Sequence, residues 1–344
     1  MSEIKTVQVD LADRSYPVFV GRGARHELAR LINPQVRRVA LVSQQDVPAA
    51  LMPILSGLES HVFMIGNGES HKTLDTVQQL CRSFSDAGIT RSDLVIGVGG
   101  GLVTDVAGFT AAVYHRGLEV MHVATTLLGM IDAAIGGKTG VNIPEGKNLI
   151  GSYWQPQAVA CDMDALLTLG TQDMQCGYGE MAKYHFISRQ DLSVLPLAER
   201  IARCVEIKAD IVASDERESG QRALLNYGHT LAHALEIASE LTMPHGVAVS
   251  VGILYAAHLS QVMGRITTDR VQEHYDIVHG IYNLQTRLPA GLDSATAINL
   301  MRRDKKALSS LTFVLDSTDG LQIVEGIKEQ DLEKAFELLR SRQV

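Results

Sequence analysis

Between Asp132 and Gly151 the sequence DAAIGGKTGVNIPEGKNLIG gathers five glycines, two lysines (Lys138, Lys147) and two asparagines (Asn142, Asn148). Glycine lets a backbone approach a ligand closely and reach positive φ. Ammonium groups supply point charges and asparagine supplies directional donors. That is the chemistry of a phosphate or carboxylate cradle; the plainer alternative is a glycine-rich surface loop. A second cluster lies in Asn226-Tyr-Gly-His229-Thr-Leu-Ala-His233-Ala-Leu-Glu236, with His245-Gly246 shortly after. Residues i and i+4 share a helical face, so His229 and His233 can chelate a metal, although the adjacent glutamate of the HExxH pattern is absent. A catalytic zinc takes three protein ligands and keeps a position open. Gly177-Tyr-Gly179-Glu180-Met-Ala-Lys183 offers a carboxylate, with a lysine on the same face. Core histidines and a surface Glu–Lys pair are the alternative reading. Arg222, Lys208 and Asp304-Lys305-Lys306 add cations that could surround a small substrate carrying a carboxylate and a phosphate.

The elements that must position these groups change character along the chain. Residues 4–20 alternate apolar and polar around Ala12-Asp13-Arg14-Ser15, a hairpin pattern. A helical segment at 24–32 follows. Arg38–Ser43 and His61–Ile65 read as short buried strands and Thr73–Ala87 as a helix, so βα units in series predict a parallel sheet with right-handed crossovers. Asp93–Val98 runs into Gly99-Gly100-Gly101 and then a helix from Leu102 to Tyr114. Strand, glycine turn and helix N-terminus together can hold a pyrophosphate on free N–H groups. A tight turn with no ligand is the other reading of a lone GGG. Gly66-Asn-Gly68-Glu69-Ser-His-Lys72 is a second such turn, and two at successive strand ends favour a dinucleotide. Thr125-Thr126 closes the next strand, Glu119–Ala124. Beyond a boundary near Leu169-Gly170-Thr171 helical periodicity takes over, at 176–188, 197–215, 222–240, 246–264 and 268–283. A small hairpin at 311–315 and 320–324 and a helix from Lys328 to Leu339 end the chain.

The expected fold is therefore an α/β N-terminal Rossmann-like domain with a parallel sheet, residues 1–170, plus an all-α C-terminal domain, residues 171–344. With 344 residues, 46% of them hydrophobic and 20% charged, a large core can form. The net charge of −8 argues against non-specific nucleic-acid binding, so an anionic ligand needs a local cationic pocket. Four widely spaced cysteines with no CxxC pair, no leader-like start and no apolar run of 18 residues predict a cytoplasmic protein without a membrane span.

Taken together, the motifs GGGLVTDVAGF, YHRG, TTLLGMIDAAIGGKTGVN, GKNLIG, GEMAK, KADIVASDE, LLNYGHTLAHALE, HG and RDKK resemble the 3-dehydroquinate synthase family of sugar phosphate cyclases, in the family's order from about Gly66 to Lys306. The resemblance implies NAD in a crevice between an α/β and an α-helical domain, and one divalent metal, Zn2+ or Co2+. It implies Glu180, His229 and His245 as metal ligands, and His233 as an active-site residue that does not bind metal. NAD contacts are implied for Glu69, Lys72, Gly99, Gly100, Asp105, Thr125, Thr126, Thr168 and Leu169, with Lys138 and Lys147 adjoining. Lys138, Asn148, Asn226 and one of Lys305 or Lys306 correspond to the phosphate site, Arg116 being offered across a homodimer interface. Lys208 and Arg222 would hold the substrate carboxylate. Asp132, Lys147 and Lys183 would sit near the reacting hydroxyls.

The implied reaction converts 3-deoxy-D-arabino-heptulosonate 7-phosphate to 3-dehydroquinate and phosphate, a step of the shikimate pathway toward aromatic amino acids. NAD oxidises and later re-reduces the substrate, phosphate leaves by elimination, and an intramolecular aldol closes the ring. The sequence departs from the family's usual wording at Gly179, at Tyr184–Phe186, in HGVAV after His245, and in a short 183–208 segment. Some of these departures resemble the aminodehydroquinate synthases. Asn226, the Lys208 and Arg222 pair and the RDKK lysines argue against cyclases of sedoheptulose 7-phosphate, a substrate without the carboxylate. A metal-dependent NAD polyol dehydrogenase is the alternative from another class.

Overall fold

The computed structural model describes residues 4–240, 242–304 and 311–342. In chain order its first elements are β1 (Lys5–Val9), β2 (Tyr16–Gly21), β3 (Arg38–Ser43), β4 (Glu59–Met64), α1 (Leu74–Asp86), β5 (Leu94–Gly99) and α2 (Gly101–Val113). Then come β6 (Glu119–Ala124), β7 (Lys138–Ile143), β8 (Gly146–Tyr153), β9 (Ala158–Asp162), α3 (Thr171–Ser188) and α4 (Leu197–Ser214). The rest are α5 (His229–Ala238), α6 (His245–Val262), α7 (Thr268–Tyr275), α8 (Ser294–Asp304), β10 (Phe313–Leu315), β11 (Gln322–Val324) and α9 (Glu329–Ser341). Contacts divide the chain into two compact units, residues 1–170 with 195–217, and residues 171–194 with 218–344.

The first unit is built on a seven-stranded sheet of order β1-β2-β9-β6-β5-β3-β4, antiparallel only at β1–β2 and otherwise parallel. Side chains alternate across a strand, and β5 shows the result. Val95 joins a core with Val77, Phe84, Val103 and Val106 on one face, while Leu94, Ile96 and Val98 join Leu28, Leu41 and Val123 on the other. Both faces of the sheet are thus covered at β5, as its unbroken apolar run requires. Helix α4, within the stretch whose periodicity marks the helical half, packs on β1 and β2 and belongs by its contacts to this unit.

The second unit gathers α3, α5, α7 and α9 around α6. Every residue of α6 from Ala248 to Ser260 is buried, the pattern of a helix apolar on all sides. The short antiparallel pair β10–β11 also belongs to this unit, with Phe313 opposite Val324.

Several local expectations are corrected. The stretch from Asp132 to Gly151 is not one glycine-rich loop: after a π-helical turn at Gly129–Ala133 and a short bend at 134–137 it forms the antiparallel hairpin β7–β8. Gly140 and Gly151 face each other there, and a Cβ at 151 would stand 2.1 Å from the Thr139 carbonyl oxygen. Those two glycines serve strand-to-strand approach. Residues 222–240 are not one helix, because Gly228 adopts φ 83° between a 3-10 turn at Gln221–Asn226 and α5. Residues 24–31 wind as 3-10 turns, and 276–281 as a π-helical turn after α7. Strand β9 and helix α8 have no counterpart in the sequence reading. Among the described residues no helix is long and apolar enough to cross a membrane.

Candidate active site

In the second unit, three residues from three helices converge. Glu180 lies within α3, His229 opens α5 and His245 opens α6. Contacts between glycines set this geometry. A Cβ at Gly179 would stand 1.9 Å from the Gly246 carbonyl oxygen, so α3 and the start of α6 touch backbone to backbone and bring Glu180 beside His245. A Cβ at Gly252 would likewise meet the Gly228 carbonyl oxygen at 1.9 Å, which seats the start of α5, and with it His229, on α6.

The Glu180 Oε1 atom is 3.3 Å from His229 Nε2 and 3.0 Å from His245 Nε2, and the three ligand atoms all lie within 4.8 Å of one another. Lys183, a turn along α3 and almost fully buried, places its Nζ 2.6 Å from Glu180 Oε2. Burial works against charge on Glu180, but the Lys183 ammonium and the two imidazoles outweigh it and hold the carboxyl well below its usual range. The histidines move in opposite directions. Burial lowers His229 against the pull of Glu180. His245 is also disfavoured by burial, yet it stands between the carboxylates of Glu180 and Glu236 and is raised to about 10.

One buried carboxylate and two convergent imidazoles, that of His245 the more exposed, match the donor set of a catalytic divalent metal site, so the residues fit the ion that the family resemblance implies. His233 lies outside this cluster, its ring edge-on to His229 with centroids 5.7 Å apart. In place of the i, i+4 pair of His229 and His233, the residues that converge, and could hold a metal ion, come from three helices. Arg222 is buried in the turn before α5, and Asn226 at the end of that turn donates to Glu218 Oε1 at 2.7 Å. Lys305 and Lys306 lie outside the described residues.

The first unit carries two further groupings. At one, β5 ends at Gly99, Gly100 caps α2, and Thr125 N donates to the Gly99 carbonyl at 3.0 Å. Thr126 Oγ1 caps the following turn through Gly129 N at 3.0 Å. Gly99, Gly100, Thr125 and Thr126 therefore meet at the C-terminal edge of the sheet, where parallel α/β sheets bind ligands, with the N–H groups of α2 beside them. That edge suits a dinucleotide pyrophosphate. At the other, the hairpin is tied to the Glu69–Lys72 turn. Asn142 donates to Glu69 Oε1 at 2.7 Å, Asn148 N donates to Asn142 Oδ1 at 2.8 Å, and Lys72 Nζ reaches Asn148 Oδ1 at 2.5 Å and pairs with Asp105. Burial raises Asp105 and the Lys72 charge pulls it back, with a net upward shift.

The remaining residues are spread over the same unit. Lys208 on α4 donates to the Asp132 carbonyl oxygen at 2.5 Å and pairs with the Asp132 carboxylate. Lys138 starts β7 opposite Tyr153, whereas Lys147 and Asn148 lie near the hairpin turn, roughly 15 Å away along the strands. Thr168 and Leu169 follow a 3-10 turn at Met163–Leu167. Arg116, exposed at φ 66°, lies beyond the C-terminal end of the 13-residue α2. It is about 20 Å from the Gly100 end of that helix.

The model of the 3-dehydroquinate synthase N-terminal region matches residues 62–176, and that of the C-terminal region matches residues 177–307. The chain belongs to the 3-dehydroquinate synthase family. Within it, the chain is 46% identical to a protein of Amycolatopsis mediterranei assigned as an aminodehydroquinate synthase, over 94% of this chain and 91% of the relative. It is 39% identical to the 3-dehydroquinate synthase of Leifsonia xyli over 95% and 96%. Among solved structures it resembles a 2-deoxy-scyllo-inosose synthase complexed with carbaglucose-6-phosphate, NAD+ and Co2+ (TM-score 0.85, 25% identity, covering 98% and 99%). A 2-epi-5-epi-valiolone synthase of Streptomyces hygroscopicus with NAD+ and Zn2+ bound is similarly close (TM-score 0.82, 25% identity, covering 100% and 99%). Glu236, to which the sequence reading assigns no role, lies on α5 seven residues after His229, a spacing that returns to the same helical face.

Proposed function

We propose that the chain is a 3-dehydroquinate synthase, a phosphate-eliminating carbon–oxygen lyase that converts 3-deoxy-D-arabino-heptulosonate 7-phosphate to 3-dehydroquinate and inorganic phosphate. The observation that carries the reading is the convergent Glu180–His229–His245 cluster with Lys183 against it, in a chain matched by both family models. When bound, NAD supplies a reversible hydride acceptor and the divalent metal supplies Lewis acidity toward the substrate hydroxyls.

The chain's own residues would hold and orient the substrate. Gly99, Gly100, Thr125 and Thr126 would seat the NAD pyrophosphate on the N–H groups of α2, with Glu69, Lys72, Asp105, Thr168 and Leu169 completing the nucleotide site. Lys138, Asn148, Asn226 and one of Lys305 or Lys306 would take the substrate phosphate, with Arg116 offered by a second copy in a homodimer. Lys208 and Arg222 would bind the carboxylate, the Lys208 ammonium being oriented by Asp132. Lys183 would hold the Glu180 carboxylate ionised and sit near the reacting hydroxyls with Asp132, Lys147 and His233. Widely spaced cysteines with no CxxC pair support a reducing, cytoplasmic location.

The 46% relative favours a second reading, in which the substrate is the amino analogue of the heptulosonate phosphate. Rates of cyclised product formation from each substrate test the choice. A higher kcat/KM on the hydroxy substrate is expected; a reversed preference would replace the first reading with the second.

A further inference from the structure

We propose that Glu236 is a positioning residue that fixes the ring of His245 for the metal. This rests on the metal reading of Glu180, His229 and His245 given above. A histidine that ligates through one ring nitrogen needs an acceptor for the N–H on the other, and that acceptor sets both the ring's tautomer and its orientation. Each histidine of the cluster turns Nε2 toward Glu180 Oε1. The partner at Nδ1 differs between them. His229 Nδ1 lies 3.2 Å from the carbonyl oxygen of Tyr227, two residues earlier in its own chain segment. His245 Nδ1 instead lies 3.5 Å from Glu236 Oε1.

Three observations make this contact more than a chance neighbour. Glu236 is a carboxylate with 4% exposure, and burying such a group is costly unless it is paired. It sits on α5, the helix that begins with His229, so one helix carries a ligand and the acceptor that orients another ligand. His245 is the first residue of α6, after Pro244, and its side chain is 31% exposed against 12% for His229, so its ring has more room to turn. The structure thus gives the more exposed ligand the stronger, charged acceptor, and gives the enclosed ligand a neutral carbonyl. A carboxylate at Nδ1 also raises the basicity of the imidazole toward a cation at Nε2.

The test uses the full chain and two variants, Glu236→Ala and Glu236→Gln. Zn2+ affinity is read by competition with a chromogenic chelator, the geometry by the visible spectrum of the Co2+-loaded protein, and the first unit by NAD titration. Glu236→Ala should raise the Zn2+ Kd about 10- to 100-fold and alter the Co2+ spectrum, with NAD affinity unchanged. Glu236→Gln keeps an oxygen that can accept from Nδ1, so it should restore the Co2+ spectrum and part of the affinity, leaving a loss below the roughly 10-fold lower bound expected for Glu236→Ala. Wild-type Kd and spectrum in a folded Glu236→Ala protein would overturn the assignment. Should that variant fail to fold by circular dichroism, Glu236→Gln decides, and a Zn2+ Kd unchanged from wild type overturns it. A wild-type chain that takes up neither ion would overturn the metal reading itself, a result distinct from failure at Glu236.

Discussion

Replacing Gly179 with alanine tests whether the helix crossing builds the metal site. The added Cβ would stand 1.9 Å from the Gly246 carbonyl oxygen and 2.4 Å from its carbon, where ordinary contact begins at 3.4 Å. Both opposing atoms are backbone, so no side chain can swing aside, and α3 must part from α6 by roughly 1.5 Å to relieve the overlap. Glu180 is the next residue and moves with α3. Metal–ligand distances tolerate only about 0.2 Å, so the displacement exceeds the tolerance several-fold. Overpacking of this kind costs about 1–3 kcal/mol, which lowers Tm by about 2–4 °C per kcal/mol in a domain of this size. The expected result is a lower melting temperature for the metal-free protein and a Zn2+ affinity reduced on the order of 100-fold or more, beyond an outer-shell loss. Gly280→Ala is the control, since its Cβ would meet no atom within 4 Å. Wild-type melting and Zn2+ affinity in Gly179→Ala would refute the argument that this contact positions Glu180.

Other consequences follow from the same geometry. His229→Ala should abolish activity and metal uptake together, with an affinity loss larger than the roughly 100-fold of an outer-shell change; full metal occupancy in the variant would remove His229 from the ligand set. Lys138→Ala should lower kcat/KM about 10- to 100-fold through loss of a charged phosphate contact while sparing NAD affinity, and paired titrations of substrate and NAD would expose the opposite pattern. Burial holds His122, His258 and His274 at about 4, below the usual 6.5. Between pH 6.5 and 4 the unfolded chain therefore binds more protons than the native one at these sites. Their stabilisation is complete above pH 6.5 and is lost as pH falls toward 4, up to about 3 kcal/mol for each histidine. Urea unfolding at pH 7, 5.5 and 4.5 should show this decline, and a flat profile would contradict it.

Alternation and short apolar runs made the sheet legible, because β3, β5 and β6 are buried on both faces over most of their length and their sequences are mainly apolar. Strand β9 escaped the reading: Ala-Val-Ala-Cys-Asp is five residues long, follows Pro156 at a distance of two, and reveals its place only through pairing with β2 and β6. The hairpin β7–β8 was hidden by its glycines, which suggest a loop but serve at Gly140 and Gly151 to bring two backbones together. Likewise, periodicity runs through Gly228 without a break, and only its left-handed conformation ends one turn and starts α5. At the site, spacing alone showed the residue types, and the grouping of Glu180, His229 and His245 was legible only through the family resemblance. Spacing favours His229 with His233, whereas the observed cluster joins residues 65 apart in sequence, His245 to Glu180, across a contact between two glycines.

The most direct test of the proposed activity is to supply 3-deoxy-D-arabino-heptulosonate 7-phosphate to the zinc-loaded protein with NAD far below substrate, and to follow released phosphate alongside NADH absorbance. The reading predicts one phosphate per substrate consumed, many turnovers per NAD and no accumulated NADH. Net NADH without phosphate release would contradict it and point to a dehydrogenase.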